Sequence, residues 1–178
     1  MKNIECEIRS FIAPEKYREL FKFFSEKCDI SEKDTQTTYY FDAPEDLRIQ
    51  LNNNFSKIWL KKGKIHDEHR EEIEIRGDKQ DFEKMEKLFL TLGYNISIKW
   101  FRERYAFKWG DIDLALDYTR GYGYIIELEK MSDEEHKMET TDYLKSKLEE
   151  LGIPLTPKEE FNDKYKYYKE NWQKLTAE

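Results

Sequence analysis

The chain has 178 residues, the length of one domain, and a domain of this size buries about 70% of the surface its unfolded form exposes without needing disulfides or a structural metal. Charged residues (39%) slightly outnumber hydrophobic ones (38%), and apolar runs such as Leu88-Phe89-Leu90 fall far short of the ~20 residues that cross a bilayer, so a membrane span is not expected. The net charge of −7 argues against a broad nucleic-acid-binding surface, though not against a local basic pocket, and 15% aromatic content argues against disorder.

Alternation from Lys2 to Ile12 predicts a first strand with Ile4, Cys6 and Ile8 on one face and Glu5, Glu7 and Arg9 on the other. Pro14 suits the first turn of a helix that Tyr17, Leu20, Phe21 and Phe24 carry to about Cys28. The β-prone run Thr35 to Phe41 predicts a second strand, stopped by Asp42-Ala43-Pro44. After the polar turn Asn52-Asn53-Asn54, strands at about 55–62 and 69–76 flank a charged hairpin tip at 63–68. From Asp78 the period becomes helical, through Phe82, Met85, Leu88, Phe89 and Leu92 to Gly93. Three strands follow at about 94–108, 111–118 and 123–130. Ser132-Asp133-Glu134-Glu135 reads as a cap for a helix ending near Leu151, and 158–175 reads as a charged amphipathic helix. The expected class is α+β, one domain over 1–178, with about seven mostly antiparallel strands curled into a barrel.

No basic-then-apolar signal opens the chain, and Cys6 and Cys28 lack CxxC spacing, so both thiols are expected reduced in the cytoplasm. Two N-x-S sequons, at Asn54 and Asn95, then carry no information. His66-Asp67-Glu68-His69 is read as a solvated hairpin tip rather than a zinc site, and His136 as exposed. Neither cysteine has the setting of a nucleophile.

The informative feature is charge where a barrel interior should be. Glu72, Glu74 and Arg76 oppose Ile73 and Ile75; Arg102 and Arg104 share a face with Trp100; Asp113, Ala115 and Asp117 oppose Ile112, Leu114 and Leu116; Glu127 and Glu129 oppose Ile126 and Leu128. On a single strand this is the wet face of an open sheet. On several strands, with helices available to cover the apolar faces, it reads as a polar lumen. Carboxylates two apart on a strand lie ~7 Å from each other and repel, which a hard divalent cation such as Mg²⁺ or Mn²⁺ resolves. The facing arginines and lysines suit an anion with many oxygens, a polyphosphate above all.

The motifs then resemble a known family, the CYTH domain or triphosphate tunnel metalloenzymes. Glu5-Cys6-Glu7-Ile8-Arg9 is similar to its opening E-x-E-x-K, with arginine for lysine. Thr38-Tyr39-Tyr40-Phe41-Asp42-Ala43-Pro44 resembles YFD-x-P, Glu74-Ile75-Arg76-Gly77 resembles T-x-K-G, and Arg102-Glu103-Arg104 resembles K-x-R. Leu116-Asp117, Gly121-Tyr122-Gly123 and Glu127-Leu128-Glu129 resemble the closing D…G-x-G…E-x-E. The resemblance implies an eight-stranded antiparallel closed barrel, a tunnel with helices packed outside, that binds a triphosphate with one or two divalent metals. It places Glu5, Glu7, Asp117, Glu127 and Glu129 at catalytic metal-binding positions, and Arg9, Arg76, Arg102 and Arg104 at phosphate-binding ones. The third-strand R-x-R of the family is replaced here by Lys57, Trp59 and Lys61 on one face. Trp59 either packs in the barrel or stacks on a base or thiamine ring, and Arg48 is a spare cation.

The function implied is metal-dependent hydrolysis of a triphosphate compound, whether inorganic triphosphate, a nucleoside triphosphate or thiamine triphosphate. The expected division of carboxylates puts one metal on Glu5, Glu7 and Glu129 and a second near Asp117 and Glu127. The alternatives are a class IV adenylate cyclase, which makes cyclic AMP and pyrophosphate, and a non-catalytic polyphosphate-binding module. The expected partner is a small-molecule triphosphate, with no membrane, and a homodimer is left open beside a monomer.

Overall fold

The computed structural model describes residues 4–61 and 72–177. The predicted hairpin tip and His66-Asp67-Glu68-His69 lie outside them. In chain order the elements are β1 (Ile4–Ile12), α1 (Pro14–Lys27), β2 (Ile30–Phe41), β3 (Asp46–Leu51), β4 (Ser56–Lys61) and β5 (Glu72–Gly77). A short 3₁₀ turn at Lys79–Asp81 then leads into α2 (Phe82–Thr91), β6 (Ile96–Trp109), β7 (Ile112–Thr119), β8 (Gly123–Ser132), α3 (Lys137–Glu150) and α4 (Lys158–Leu175). The class is α+β, with an antiparallel eight-stranded sheet in the order β1-β8-β7-β6-β2-β3-β4-β5. No hydrogen-bonded ladder among the described residues joins β1 to β5.

Helix limits follow local chemistry. Pro14 opens α1, where its missing N–H goes unneeded. Gly93 and Gly152 follow α2 and α3 with φ of +92° and +70°. Each lets the chain turn back so that the next residue, Tyr94 or Ile153, donates its N–H to the carbonyl of Phe89 or Leu148. The start of α3 differs from expectation. Asp133 Oδ1 accepts from the backbone N–H groups of Glu135 and His136 and contacts His136 Nδ1, closing a turn instead of capping a helix. The helix therefore begins only at Lys137.

The chain divides into two compact units. The first, residues 1–33 and 103–167, buries the predicted apolar faces: Cys6 and Ile8 from β1, Ile112, Leu114 and Leu116 from β7, Ile126 and Leu128 from β8. Leu20 and Phe24 of α1 and Leu144 and Leu148 of α3 cover them, and each such side chain contributes about 1.5–3 kcal/mol on leaving water. The 152–157 segment is fastened to β1. Ser10 Oγ, fully buried, donates to the Pro154 carbonyl at 2.9 Å and accepts from the Thr156 N–H at 2.8 Å, while Thr156 Oγ1 accepts from the Phe11 N–H. Ser10→Ala strands both backbone groups and should cost about 1–3 kcal/mol in urea denaturation; an unchanged midpoint would show that this fastening is immaterial.

The second unit, residues 34–102 and 168–178, has its own core of Phe41, Leu47, Ile49, Phe82 and Met85, with α2 packed on β3 and β4. The expected outer covering fails at β5, where Ile73 and Ile75 stay 44% and 58% exposed. Strand β3 was not foreseen as an element. Its residues Leu47, Arg48, Ile49 and Gln50 are all buried, on both faces of the strand.

Candidate functional site

In the first unit, register decides which carboxylates meet. Glu7 of β1 lies opposite Glu129 of β8, which lies opposite Asp113 of β7. One step along, Arg9 lies opposite Glu127. The like charges act on one another. Burial first, then Glu127, pushes the Glu7 carboxyl up to about 7, with Glu5 and Glu129 adding and Arg9 opposing. Glu129 also rises to about 7, through burial, Glu5, Glu127 and Asp113, against Arg104. Arg9 offers Glu7 only a loose pairing at 3.7 Å, and Glu7 keeps 36% of its side-chain surface exposed, so solvent screens part of the repulsion.

Asp117 behaves differently. Arg104 of β6 donates from Nε and Nη2 to the two Asp117 oxygens, both at 2.8 Å, and from Nη2 to Glu127 Oε1 at 2.9 Å. Asp117 is 5% exposed and Glu127 14%, so this is a buried, charge-assisted fork between two acids. Burial disfavours the guanidinium charge, but the hydrogen bond it donates to Asp117 and the field of Glu127 outweigh it and raise the Arg104 pKa further.

Whether a divalent cation fits can be read from this donor set. Glu5, Glu7, Glu127 and Glu129 are hard oxygen donors, and burial followed by their mutual repulsion raises Glu7 and Glu129 to about 7, a condition a cation relieves. The residues fit the ion in chemistry, although among the described residues no three acidic, histidine or cysteine groups form a ready cage. Asp117 is tied to Arg104, and Glu127 both joins that fork and raises the other glutamates. Asp113, not counted among the site residues from sequence, adds to the charge on Glu129 and is bound by Lys108 at 2.8 Å. Its signal was its place on the Asp113-Ala115-Asp117 face of β7.

The second unit carries Lys57, Lys61, Arg76 and Arg102 of the expected phosphate-binding cations, and two cross-strand rows order part of it. One runs Tyr40, Arg48, Trp59, Glu74 and the other Thr38, Gln50, Lys57, Arg76. Lys57 Nζ donates to Glu74 Oε2 at 2.7 Å and Arg76 Nε to Glu74 Oε1 at 2.6 Å, so Glu74 collects two expected phosphate ligands. The Lys57 hydrogen bond, followed by that of Arg76, holds the Glu74 pKa below the usual carboxylate value. Arg48 is 9% exposed, forks onto Asp46 and lies between the rings of Tyr40 (4.3 Å) and Trp59 (4.9 Å). Lys57 and Lys61 also sit over the Trp59 ring, at 4.2 and 4.1 Å. The indole is thus surrounded by cations, and its buried Nε1 has no hydrogen-bond acceptor among the described residues. Arg102 Nε donates to Gln36 Oε1 at 2.8 Å, and its Nη2 contacts the same oxygen.

Sequence reading left out Gln36, Arg48 and Glu74 as site residues. Arg48 and Gln36 gave no periodic signal because each is a buried polar group, and Glu74 was hidden inside the motif that named Arg76.

Residues 3–165 match the CYTH domain model. No curated protein matches the chain. Among solved structures, a conserved hypothetical protein from Pyrococcus furiosus is 25% identical with a TM-score of 0.66, covering 84% of this chain and 91% of its own. A protein from Pyrococcus horikoshii is 24% identical with a TM-score of 0.69 over 85% of this chain and 92% of its own. An adenylyl cyclase candidate from Hippeastrum, described as having dominant triphosphatase activity, is 21% identical with a TM-score of 0.62 over 86% and 89%. With a family model spanning all eight described strands and three of the four helices, the chain belongs to the CYTH domain family.

Proposed function

We propose that the protein is a divalent-metal-dependent hydrolase of a triphosphate compound. The observation that carries this reading is the group of mutually repelling carboxylates on β1 and β8, with Glu7 and Glu129 both raised to about 7. A protein that merely bound an anion would gain nothing from them. Mg²⁺ or Mn²⁺ held by Glu5, Glu7 and Glu129, with Glu127 beside them, would neutralise phosphate oxygens and polarise the phosphorus centre.

The chain's own residues supply positioning and charge. Arg104, locked by Asp117 and Glu127, presents a fixed guanidinium that cannot lose its proton. Arg9 and Arg102 add positive charge by their motif positions, as do Lys57, Lys61 and Arg76. Lys57 and Arg76 exchange part of their hold on Glu74 for phosphate oxygens when substrate arrives. These roles suit phosphoryl transfer, where catalysis is mostly positioning and electrostatics.

The same cradle would serve a cyclase, so product identity decides. Purified protein incubated with inorganic triphosphate or ATP, each with Mg²⁺ or Mn²⁺, should release orthophosphate on chromatographic analysis. Cyclic AMP with pyrophosphate would make it a cyclase, and no product from either substrate would reduce it to a binding module.

A further inference from the structure

We propose that Gln36 is a positioning residue for Arg102, with Asp34 setting its orientation; this rests on the reading of Arg102 as a phosphate ligand. All three lie in the second unit. Gln36 is 8% exposed and Asp34 3% exposed, an unusual place for two polar side chains on the strand that bears the Tyr-Phe-Asp motif. Their contacts account for it. Gln36 Nε2 donates to Asp34 Oδ2 at 2.9 Å, and Asp34 Oδ1 accepts the Asn53 N–H at 2.9 Å.

A carboxylate can only accept, so Asp34 fixes which end of the Gln36 amide is the NH₂. The carbonyl oxygen must then point the other way, where it receives the Nε edge of Arg102. The negative charge behind the amide polarises it and strengthens the outward bond. A glutamine at this position has a specific advantage over an acid. The Gln36 contact orients the guanidinium through a neutral acceptor, whereas Asp117 and Glu127 hold Arg104 through carboxylates. The arrangement thus assigns different tasks to the two arginines of Arg102-Glu103-Arg104. Arg104 is held by two acids, and Arg102 is held along its Nε edge by a neutral amide that fixes its direction.

The experiment measures binding of inorganic triphosphate in Mg²⁺ buffer by calorimetry for wild type, Gln36→Met, Arg102→Ala and the double variant. Gln36→Met, similar in length but without an acceptor, should weaken binding about tenfold, the scale of one hydrogen bond to a charged group. In the Arg102→Ala background the same change should have less than about a twofold effect, because the two residues act as a unit. Asp34→Asn, which frees the amide to flip, should weaken binding in the same direction only when Arg102 is present. The ¹⁵N resonance of Arg102 Nε should lose its protection from solvent exchange in Gln36→Met, which an effect on folding elsewhere would not produce. Equal losses in both backgrounds, or protection that survives in Gln36→Met, overturn the positioning role. Arg102→Ala binding as tightly as wild type overturns instead the reading of Arg102, and the proposal with it. If Gln36→Met fails to melt cooperatively, Asp34→Asn and its combination with Arg102→Ala supply the same comparison.

Discussion

Glu7→Gln and Glu129→Gln should each make the metal-free protein more stable at pH 8 while sharply lowering metal-dependent turnover. The folded-state carboxyls titrate near 7, against an ordinary value of 4.5. Between those limits the folded chain holds protons that the unfolded chain has released, so stability falls as pH rises through the window and the loss is complete above about 7. An amide has no proton to lose. The advantage of the variants should therefore be absent below about pH 4.5 and largest above 7, as read from thermal melts in chelator. Added Mg²⁺ should raise the melting temperature of wild type at pH 8 and act weakly on either variant. Turnover of a triphosphate should fall on the order of 10²- to 10³-fold, the scale of losing one electrostatic contact to a transition state. A variant that melts below wild type at pH 8 in chelator would show that the carboxylates do not repel as described.

Arg104→Met should have the second large effect, on folding before chemistry. It leaves Asp117 and Glu127, only 5% and 14% exposed, without their shared cation. Breaking a buried pair in this way costs about 3–5 kcal/mol, a large share of the 5–15 kcal/mol by which domains are stable. Combining it with Asp117→Leu and Glu127→Met should restore much of the stability and none of the activity, because a buried ion-pair group is replaced more cheaply than it is broken. Urea denaturation at pH 7 measures both. A loss under about 1 kcal/mol for Arg104→Met would show that water, not the guanidinium, solvates the two acids.

The elements that sequence reveals are those where one face meets a core. Ile112, Leu114 and Leu116 alternate because α3 and α1 lie over the same core, and Gly93 marks the end of α2 because only a left-handed residue closes that turn. Strand β3 escapes the same reading because Arg48 and Gln50 are as buried as Leu47 and Ile49, so composition shows no inside and outside. The site divides similarly. Motif order gives the identities of Glu5, Glu7, Arg104, Asp117, Glu127 and Glu129, but not their partners. That Arg104 holds Asp117 and Glu127, while Glu7 is left facing Glu129, depends on strand register, and a one-residue slip would exchange the faces. Trp59 is the clearest case. Its position between Lys57 and Lys61 was legible, but the stacking of Arg48 over its ring requires β3 to lie beside β4.

The pairing of β1 with β8 sets the timing of biogenesis. Ile4 pairs with Ser132, far later in the chain, and the Ser10 side chain bonds Pro154 and Thr156, later still. As the ribosome delivers roughly 5–20 residues per second, the first strand waits on the order of ten seconds with its apolar Ile4, Cys6 and Ile8 uncovered. Closure between such distant segments is slow once the chain is released as well. The acidic alternates Glu5 and Glu7 then act outside any chemistry, as charges that keep a nascent edge from pairing with its neighbours on the same message.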